Sequence, residues 1–242
     1  MTDLSGTSTL VLGASRGLGR GIAGALAGAG SAVTAVSRTA HTPSRPDIRT
    51  EVADAADAAT PARLLDRHQP DAVVVVAGAS PPIRPLQEHT WETFSVNWHA
   101  DVRIAFHWLR EALLRPLRPG SRVIVVSSGA ALAGSPLSGG YAGAKATQRL
   151  ITGYARDEAE RAGLGITFTA VLPRLTPLTD LGRPAVQAYA ARAGLSEQEY
   201  IRQQGEPLTA EGAGAAVVEL LAADAATIAP AYLLTGAGLR QL

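Results

Sequence analysis

Six short apolar runs alternate with segments of helical periodicity, and this alternation constrains the fold of the chain more than any other feature. Thr9–Leu12, Ala32–Val36, Asp71–Ala77, Arg122–Ser127, Ile166–Leu172 and Ala231–Leu234 are rich in β-branched residues and nearly free of internal charge. Strands that read as continuous apolar runs are buried on both faces, the condition of a parallel sheet covered by helices. Ile48–Val52 reads as a seventh, more polar strand. Between the runs, Leu18, Ile22 and Leu26 recur at helical spacing. Thr90 to about Leu114 carries Trp91, Phe94, Trp98, Val102, Phe106 and Leu109, and Tyr141–Arg161 shows a similar period. Ser196-Glu197-Gln198-Glu199 has the form of a capping box opening another helix. Alternating β and α elements imply right-handed βαβ crossovers. With no repeat, linker or low-complexity tail, the expectation is a single doubly wound α/β domain over residues 1–242, built on a parallel sheet of about seven strands.

Composition excludes several function classes. The 22 Lys+Arg against 21 Asp+Glu leave a net charge of +1. That lacks the electrostatic footprint of a nucleic-acid binder or a polybasic membrane-surface protein. Without cysteine there is no disulfide framework, zinc–thiolate site or thiol nucleophile. The five His are scattered without ligand spacing, so no metal is expected. The opening Met1-Thr2-Asp3-Leu4-Ser5-Gly6 has neither the basic stretch nor the apolar run of a secretion signal. No apolar run reaches the ~18 residues of a membrane span. A soluble, cytoplasmic protein is expected.

Ligands of open parallel sheets bind at the carboxyl ends of the strands. The connections there, Gly78–His89, Gly129–Gly140 and Pro173–Gly205, are long or rich in Gly and Pro, and a substrate loop or lid is expected around 174–205. After the first strand comes Gly13-Ala14-Ser15-Arg16-Gly17-Leu18-Gly19, which opens a helix. Glycines let such a turn approach a pyrophosphate, and the helix N-terminus offers unpaired N–H groups to the anion. The spacing differs from the general G-x-G-x-x-G fingerprint, so the strand–turn–helix context carries the assignment. A second motif, Tyr141-Ala142-Gly143-Ala144-Lys145, starts a helix and puts a phenol and an ammonium on one face. A free phenol titrates near ~10, and a cation within ~4–6 Å favours the phenolate, bringing it towards the range of an acid–base catalyst. Lys145 is the only lysine in the chain, the other basic residues being arginine, and Asn97 is the only asparagine. A compact point charge that arginine does not reproduce explains the first.

The glycine loop, the Tyr141/Lys145 pair and Val125-Val126-Ser127-Ser128 together resemble the short-chain dehydrogenase/reductase family, in its single-domain, Rossmann-type branch, over essentially the whole chain to Leu234-Thr235-Gly236. The resemblance implies a catalytic serine thirteen residues before the tyrosine, which is Ser128 rather than Ser127. It implies an asparagine in a V-N-x pattern, which is Asn97 in Val96-Asn97-Trp98. In the implied mechanism Tyr141 exchanges a proton with the substrate oxygen and Ser128 hydrogen-bonds that oxygen. Lys145 supports Tyr141 and binds the nicotinamide ribose, and Asn97 holds a water linking Lys145 to solvent. The implied cofactor contacts are Gly13, Ser15, Arg16, Gly17, Leu18, Gly19, Ser37, Arg38, Glu51, Val52, Ala77, Gly78, Tyr141, Lys145, Pro173 and Thr176, with Thr179 an alternative to Thr176. The family also implies a homotetramer or homodimer, packed through the helices starting near Thr90 and Tyr141.

Three departures accompany the resemblance. Leu12 and Val76 stand where the family has two polar residues that hold neighbouring strands together, and packing contacts are expected in their place. Glu51 matches the adenine-contacting acid only approximately. Pro173-Arg174 replaces Pro-Gly. The coenzyme is expected to be NADP(H). The second strand ends in Val36-Ser37-Arg38-Thr39, and no acid lies between Asp3 and Asp47 to repel a 2′-phosphate. Arg38 and Arg16 are its expected partners, with Ser37 adding a hydroxyl. The expected activity interconverts a carbonyl and an alcohol. The alternatives are a non-catalytic NADP(H)-binding regulator and an epimerase or dehydratase on the same fold. Ile83, Leu132, Leu137, Leu175, Leu178, Leu181 and Tyr189 favour a largely apolar substrate, with Arg174 or Arg183 available to an anionic group.

Overall fold

The apolar runs form the interior of one eight-stranded sheet in a computed structural model that describes residues 2–242. Its strands are β1 (Ser8–Leu12), β2 (Ala32–Ser37), β3 (Arg49–Val52), β4 (Ala72–Val75), β5 (Arg122–Val126), β6 (Thr167–Pro173), β7 (Ala231–Thr235) and β8 (Gly238–Gln241). They lie in the order β3-β2-β1-β4-β5-β6-β7-β8. The first seven pair in parallel, and β8 runs antiparallel to β7. The eighth strand departs from the expected seven. Leu239 is its only large apolar residue, and it is specified by the two-residue Gly236-Ala237 turn rather than by hydrophobic pattern. Both edges are polar, with Arg49 and Glu51 on β3 and Arg240 and Gln241 on β8, which blunts pairing with other chains.

Among the described residues nine α-helices cover the sheet: α1 (Gly17–Gly28), α2 (Thr60–His68), α3 (Trp91–Phe94), α4 (Arg103–Leu114), α5 (Ala130–Ala133), α6 (Tyr141–Arg161), α7 (Gly182–Ala193), α8 (Glu197–Gln203) and α9 (Ala210–Ala222). Alternate strand residues face opposite layers. Val11, Val74, Ile124 and Val171 pack with Ile22 and Leu26 of α1 and Val217 and Leu220 of α9. Leu10, Leu12, Val73, Val75, Val123 and Val125 pack with Leu64, Leu65, Trp108 and Leu109 of α2 and α4. Trp108 satisfies its indole N–H on the Ala55 carbonyl at 3.1 Å, as a buried tryptophan requires. Helices α1 and α9 meet closely: a Cβ on Gly21 would lie 2.4 Å from the Ala210 oxygen, and one on Gly214 would lie 2.6 Å from the Ala25 Cβ.

Two expectations are corrected. The helix expected from Thr90 to about Leu114 is broken: α3 stops at Phe94, the chain bends at Ser95, and a π turn (Trp98–Val102) precedes α4. The wider turn rotates everything downstream, so the aromatic stripe does not share one buried face. Trp91, Trp98 and Phe106 are 70%, 41% and 51% exposed, while Ile104, Ala105, Trp108, Leu109 and Ala112 point inward. The Pro173–Gly205 connection contains the expected helix after Ser196 as α8, and a further helix, α7, ahead of it. The Ser196 capping box forms, and Tyr189 of α7 stacks on Tyr200 of α8 with centroids 6.3 Å apart. Leu12 and Val76 do not pack on each other, since their side chains belong to opposite layers. The strand ends are tied by backbone instead, with the Val76 and Ala77 N–H groups both donating to the Leu12 oxygen at 3.0 and 2.8 Å. Among the described residues no helix is long and apolar enough to cross a membrane.

Candidate active site

The strand order reverses direction between β1 and β4, which makes their carboxyl ends the switch point where such sheets bind ligands. The glycine loop leaves β1 there. Gly13 donates its N–H to the Val36 oxygen at 2.8 Å and lies so near β4 that a Cβ on it would be 2.7 Å from the Ala77 Cα. Gly17 opens α1 at φ +53°, a left-handed conformation that favours glycine, and nothing lies within 4 Å of where its Cβ would be. Helix α1 has no side-chain cap and no acid in its first turn. Its first N–H groups therefore face open space with a partial positive charge, a cradle that fits the pyrophosphate of a dinucleotide. Ser15 and Leu18 line the same turn in sequence, and Gly19 packs beneath it, where a Cβ would meet the Gly13 oxygen.

At the end of β2, Arg38 is exposed and pairs with no carboxylate among the described residues. Arg16 lies 4.0 Å from Asp180, both largely exposed, a contact too weak to hold it. Ser37 is corrected as a donor: its buried hydroxyl donates to the Thr39 oxygen at 2.7 Å and bonds His41 Nδ1 at 2.9 Å. Glu51 is corrected as the adenine acid. Its carboxylate is held by Arg63 (3.1 Å), Arg67 (2.7 Å) and His68 (2.6 Å) of α2, while neighbouring Val52 is exposed at the strand end. Beyond β3 lies Asp54, exposed, whose Oδ1 accepts the Ala56 N–H at 2.9 Å. Ala53 beside it bonds the Ser37 oxygen at 2.9 Å, placing Asp54 next to the end of β2.

Burial works to raise the Glu51 pKa, but its bonds to His68 and the charges of Arg67 and Arg63 more than offset this and hold it below the usual carboxylate range. A carboxyl lowered on folding stabilises the protein above its unfolded pKa and loses that contribution as the pH falls through the folded value. Glu51→Gln is therefore expected to cost roughly 1 kcal/mol at neutral pH. Thermal midpoints of variant and wild type should converge as the pH drops below about 4.5. A difference that persists in acid would sink this account.

Helix α6 starts at Tyr141 and carries Tyr141 and Lys145 one turn apart, with Lys145 Nζ 5.5 Å from the phenol centroid. Among the described residues the Tyr141 hydroxyl bonds no protein group. Ser127 at the end of β5 is buried and donates to the Lys145 oxygen at 2.7 Å, which ties the strand end to α6. Ser128 is half-buried. Its Oγ accepts the Ala130 N–H at 3.2 Å and keeps its own proton available.

Lys145 is only 5% exposed and lies 3.0 Å from Asp101 Oδ2 and 3.0 Å from Gln148 Oε1. Burial works to lower its pKa, and the Asp101 and Tyr141 charges overcome that, raising it above the ordinary lysine value. Asn97, also buried, donates to the Ala79 oxygen at 2.7 Å and to Asp101 Oδ1 at 3.3 Å. The Asp101 carboxylate bridges Asn97 and Lys145. The sequence reading passed over Asp101 and Gln148, since polar residues on helical segments resemble a solvated face.

At the end of β6, the Gly129 N–H donates to the Pro173 oxygen at 2.7 Å, and Thr176 is buried with its hydroxyl 3.1 Å from that of Thr179. Gly78 follows β4 against Asp101. Tyr189 of α7 ties the 174–205 segment to the β5–α6 connection. Its hydroxyl accepts the Leu137 N–H at 3.0 Å and lies 2.7 Å from Ser135 Oγ. Leu132, Leu178 and Leu181 face solvent, and Leu175 lines a cavity of about 210 Å³ with Arg174 and Ile201. A cleft of about 1010 Å³ runs along the outer side of α1 and meets the glycine loop only at Gly17.

The family described as short chain dehydrogenase matches residues 7–190. The hydroxynaphthalene reductase arp2 of Aspergillus fumigatus is 32% identical over 225 residues, covering 85% of this chain and 80% of that protein. The hydroxynaphthalene reductase-like protein Arp2 of Metarhizium robertsii is 31% identical over 188 residues, covering 71% of this chain and 68% of that protein. Among solved structures, levodione reductase superposes with a TM-score of 0.80 over 96% of this chain and 97% of the other at 22% identity, a likeness of fold.

Proposed function

The chain belongs to the short-chain dehydrogenase family of oxidoreductases, and we propose that it interconverts a ketone or aldehyde and an alcohol with NADP(H) as coenzyme. One observation carries this reading: an unbonded phenol and a buried ammonium share the first turns of α6, with Nζ 5.5 Å from the ring.

When bound, the nicotinamide supplies or accepts the hydride. The Gly13–Gly19 turn and the α1 N-terminus hold the pyrophosphate, Arg38 and Arg16 the 2′-phosphate, and Pro173 and Thr176 flank the nicotinamide end. In reduction Tyr141 gives its proton to the carbonyl oxygen while Ser128 donates a hydrogen bond to the same atom, stabilising the charge that develops there. Lys145 favours the phenolate left on Tyr141 and offers its remaining N–H to the ribose. The 174–205 segment, tethered through Tyr189, closes the substrate side and limits water. Lys145→Arg should lose most of the turnover despite keeping the charge. The planar fork does not fit the buried point-charge site between Asp101 and Gln148. Near-normal turnover in that variant would remove the requirement for an ammonium.

The leucines around the opening and the names of the relatives favour an apolar bicyclic aromatic carbonyl. The exposed Trp98, Phe106, Leu150 and Tyr154 of the π turn, α4 and α6 support a homodimer or homotetramer packed through those helices. The test is NADPH oxidation against hydroxynaphthalene-derived ketones, simple cyclic ketones and aldehydes. Turnover of one class supports the reading. Binding of coenzyme with no net oxidation by any carbonyl would favour the regulator or epimerase instead.

A further inference from the structure

We propose that Asp101 is a positioning residue for Lys145: its carboxylate balances the ammonium charge at contact distance while Gln148 accepts one N–H, so that the ammonium is fixed in place with its remaining donors free for the reacting groups. The inference rests on the proposed role of Lys145 and Tyr141. An ammonium has three donors and no acceptor. Here Gln148 Oε1 accepts one of them at 3.0 Å, and Asp101 Oδ2 stands 3.0 Å from Nζ as an ion pair. Asp101 and Gln148 are both 1% exposed, so neither contact competes with solvent. A buried, unpaired ammonium is costly, and a carboxylate at contact distance offsets that cost.

The surroundings hold Asp101 in place. Oδ1 accepts the Ala79 N–H at 2.8 Å and Asn97 Nδ2 at 3.3 Å, and the Asp101 carbonyl accepts Gln148 Nε2 at 2.9 Å. Oδ2 has no hydrogen-bond partner besides its ion pair with Lys145. A Cβ on Gly78 would stand 2.9 Å from the carboxyl atoms, so any larger residue there pushes the carboxylate off its mark. Asp101 also sits in the π turn, a local widening that recurs at functional sites. Ala79 of the β4 connection and Asn97 ahead of the π turn thus hold one carboxylate oxygen, Gln148 of α6 holds the Asp101 backbone, and the remaining oxygen faces Lys145.

The charged or titratable groups facing Lys145 are Asp101 from the π turn and Tyr141 on its own helix. The end of β5 contributes Ser127, the β4 connection Gly78 and Ala79, and α6 adds the neutral Gln148. Tyr141 therefore stands beside an ammonium whose charge Asp101 largely balances.

The test is Asp101→Asn in the cofactor-free protein, read by tyrosinate absorbance with the signal of matched Tyr141→Phe backgrounds subtracted. Uncovering the Lys145 charge should move the Tyr141 titration about one pH unit lower, roughly tenfold in proton affinity. The alkaline limb of the pH–rate profile should move with it, and NADPH, titrated by fluorescence, should bind more weakly. Asp101→Asn with Gln148→Glu returns a carboxylate to Lys145 from its other partner and should move the titration back. Gln148→Glu alone should move it to higher pH, which keeps the test readable if Asp101→Asn does not fold. A titration that stays put or rises in Asp101→Asn, or in its absence one that stays put or falls in Gln148→Glu, overturns the proposal. The titration needs no substrate, so a failure to find a reducible carbonyl counts against the reductase reading and leaves this result standing.

Discussion

Tyr141→Phe is expected to lower turnover by at least ~10²-fold, the scale of a lost general acid, with NADPH affinity and thermal midpoint essentially unchanged. The separation of effects follows from the geometry. The Tyr141 hydroxyl bonds no protein group among the described residues, so its removal leaves no orphaned buried partner. The ring stays beside Lys145, whose ammonium is held by Asp101 and Gln148 rather than by the phenol oxygen. Steady-state rates, a coenzyme titration and a thermal scan on the same preparation check all three statements. A variant that turns over near the wild-type rate takes Tyr141 out of the chemistry.

Arg38→Asp is expected to weaken NADPH binding by ~2–3 kcal/mol, about 30- to 150-fold in Kd, through loss of a charged hydrogen bond and new repulsion of the 2′-phosphate. NADH binding should change little or improve, because an acid at this point accepts bonds from the ribose hydroxyls. Arg38 is exposed and without a carboxylate partner among the described residues, so the change costs the fold nothing and the effect falls on coenzyme alone. With Ser37 committed to Thr39 and His41, the discrimination rests on Arg38 more than the sequence suggests. Equal wild-type affinity for NADH and NADPH would defeat this assignment.

What was legible in the sequence is what local chemistry specifies. Buried strands such as β4, Ala-Val-Val-Val, announce themselves because two covered faces demand an apolar run. The glycine loop and the Tyr141/Lys145 spacing are likewise local. Helix α9 was illegible because Ala210–Ala222 mixes small residues with few contrasts between its faces. The π turn depends on tertiary packing and has no one-dimensional signature, so the periodicity through Trp98 misled about which aromatics are buried. Glu51 had the right charge at nearly the right place, and only the three cations of α2 show that it is already committed. Asp101 and Gln148 escaped for a related reason: a buried ion pair joins residues 44 positions apart, and neither member signals the other.

The glycine contact between α1 and α9 has a mechanical meaning. Gly21 and Gly214 bring the two backbones to a separation where even a methyl group has no room, so the phosphate helix is seated without play. The substrate side is built the opposite way, with α7 attached through the hydroxyl of Tyr189 and a ring stack. One end of the molecule is a bearing, and the other, on the proposed substrate side, is a cover held by a few side-chain contacts. Sequence change can accumulate in the cover, altering which molecules fit beneath it, while the seat that receives the coenzyme keeps its shape.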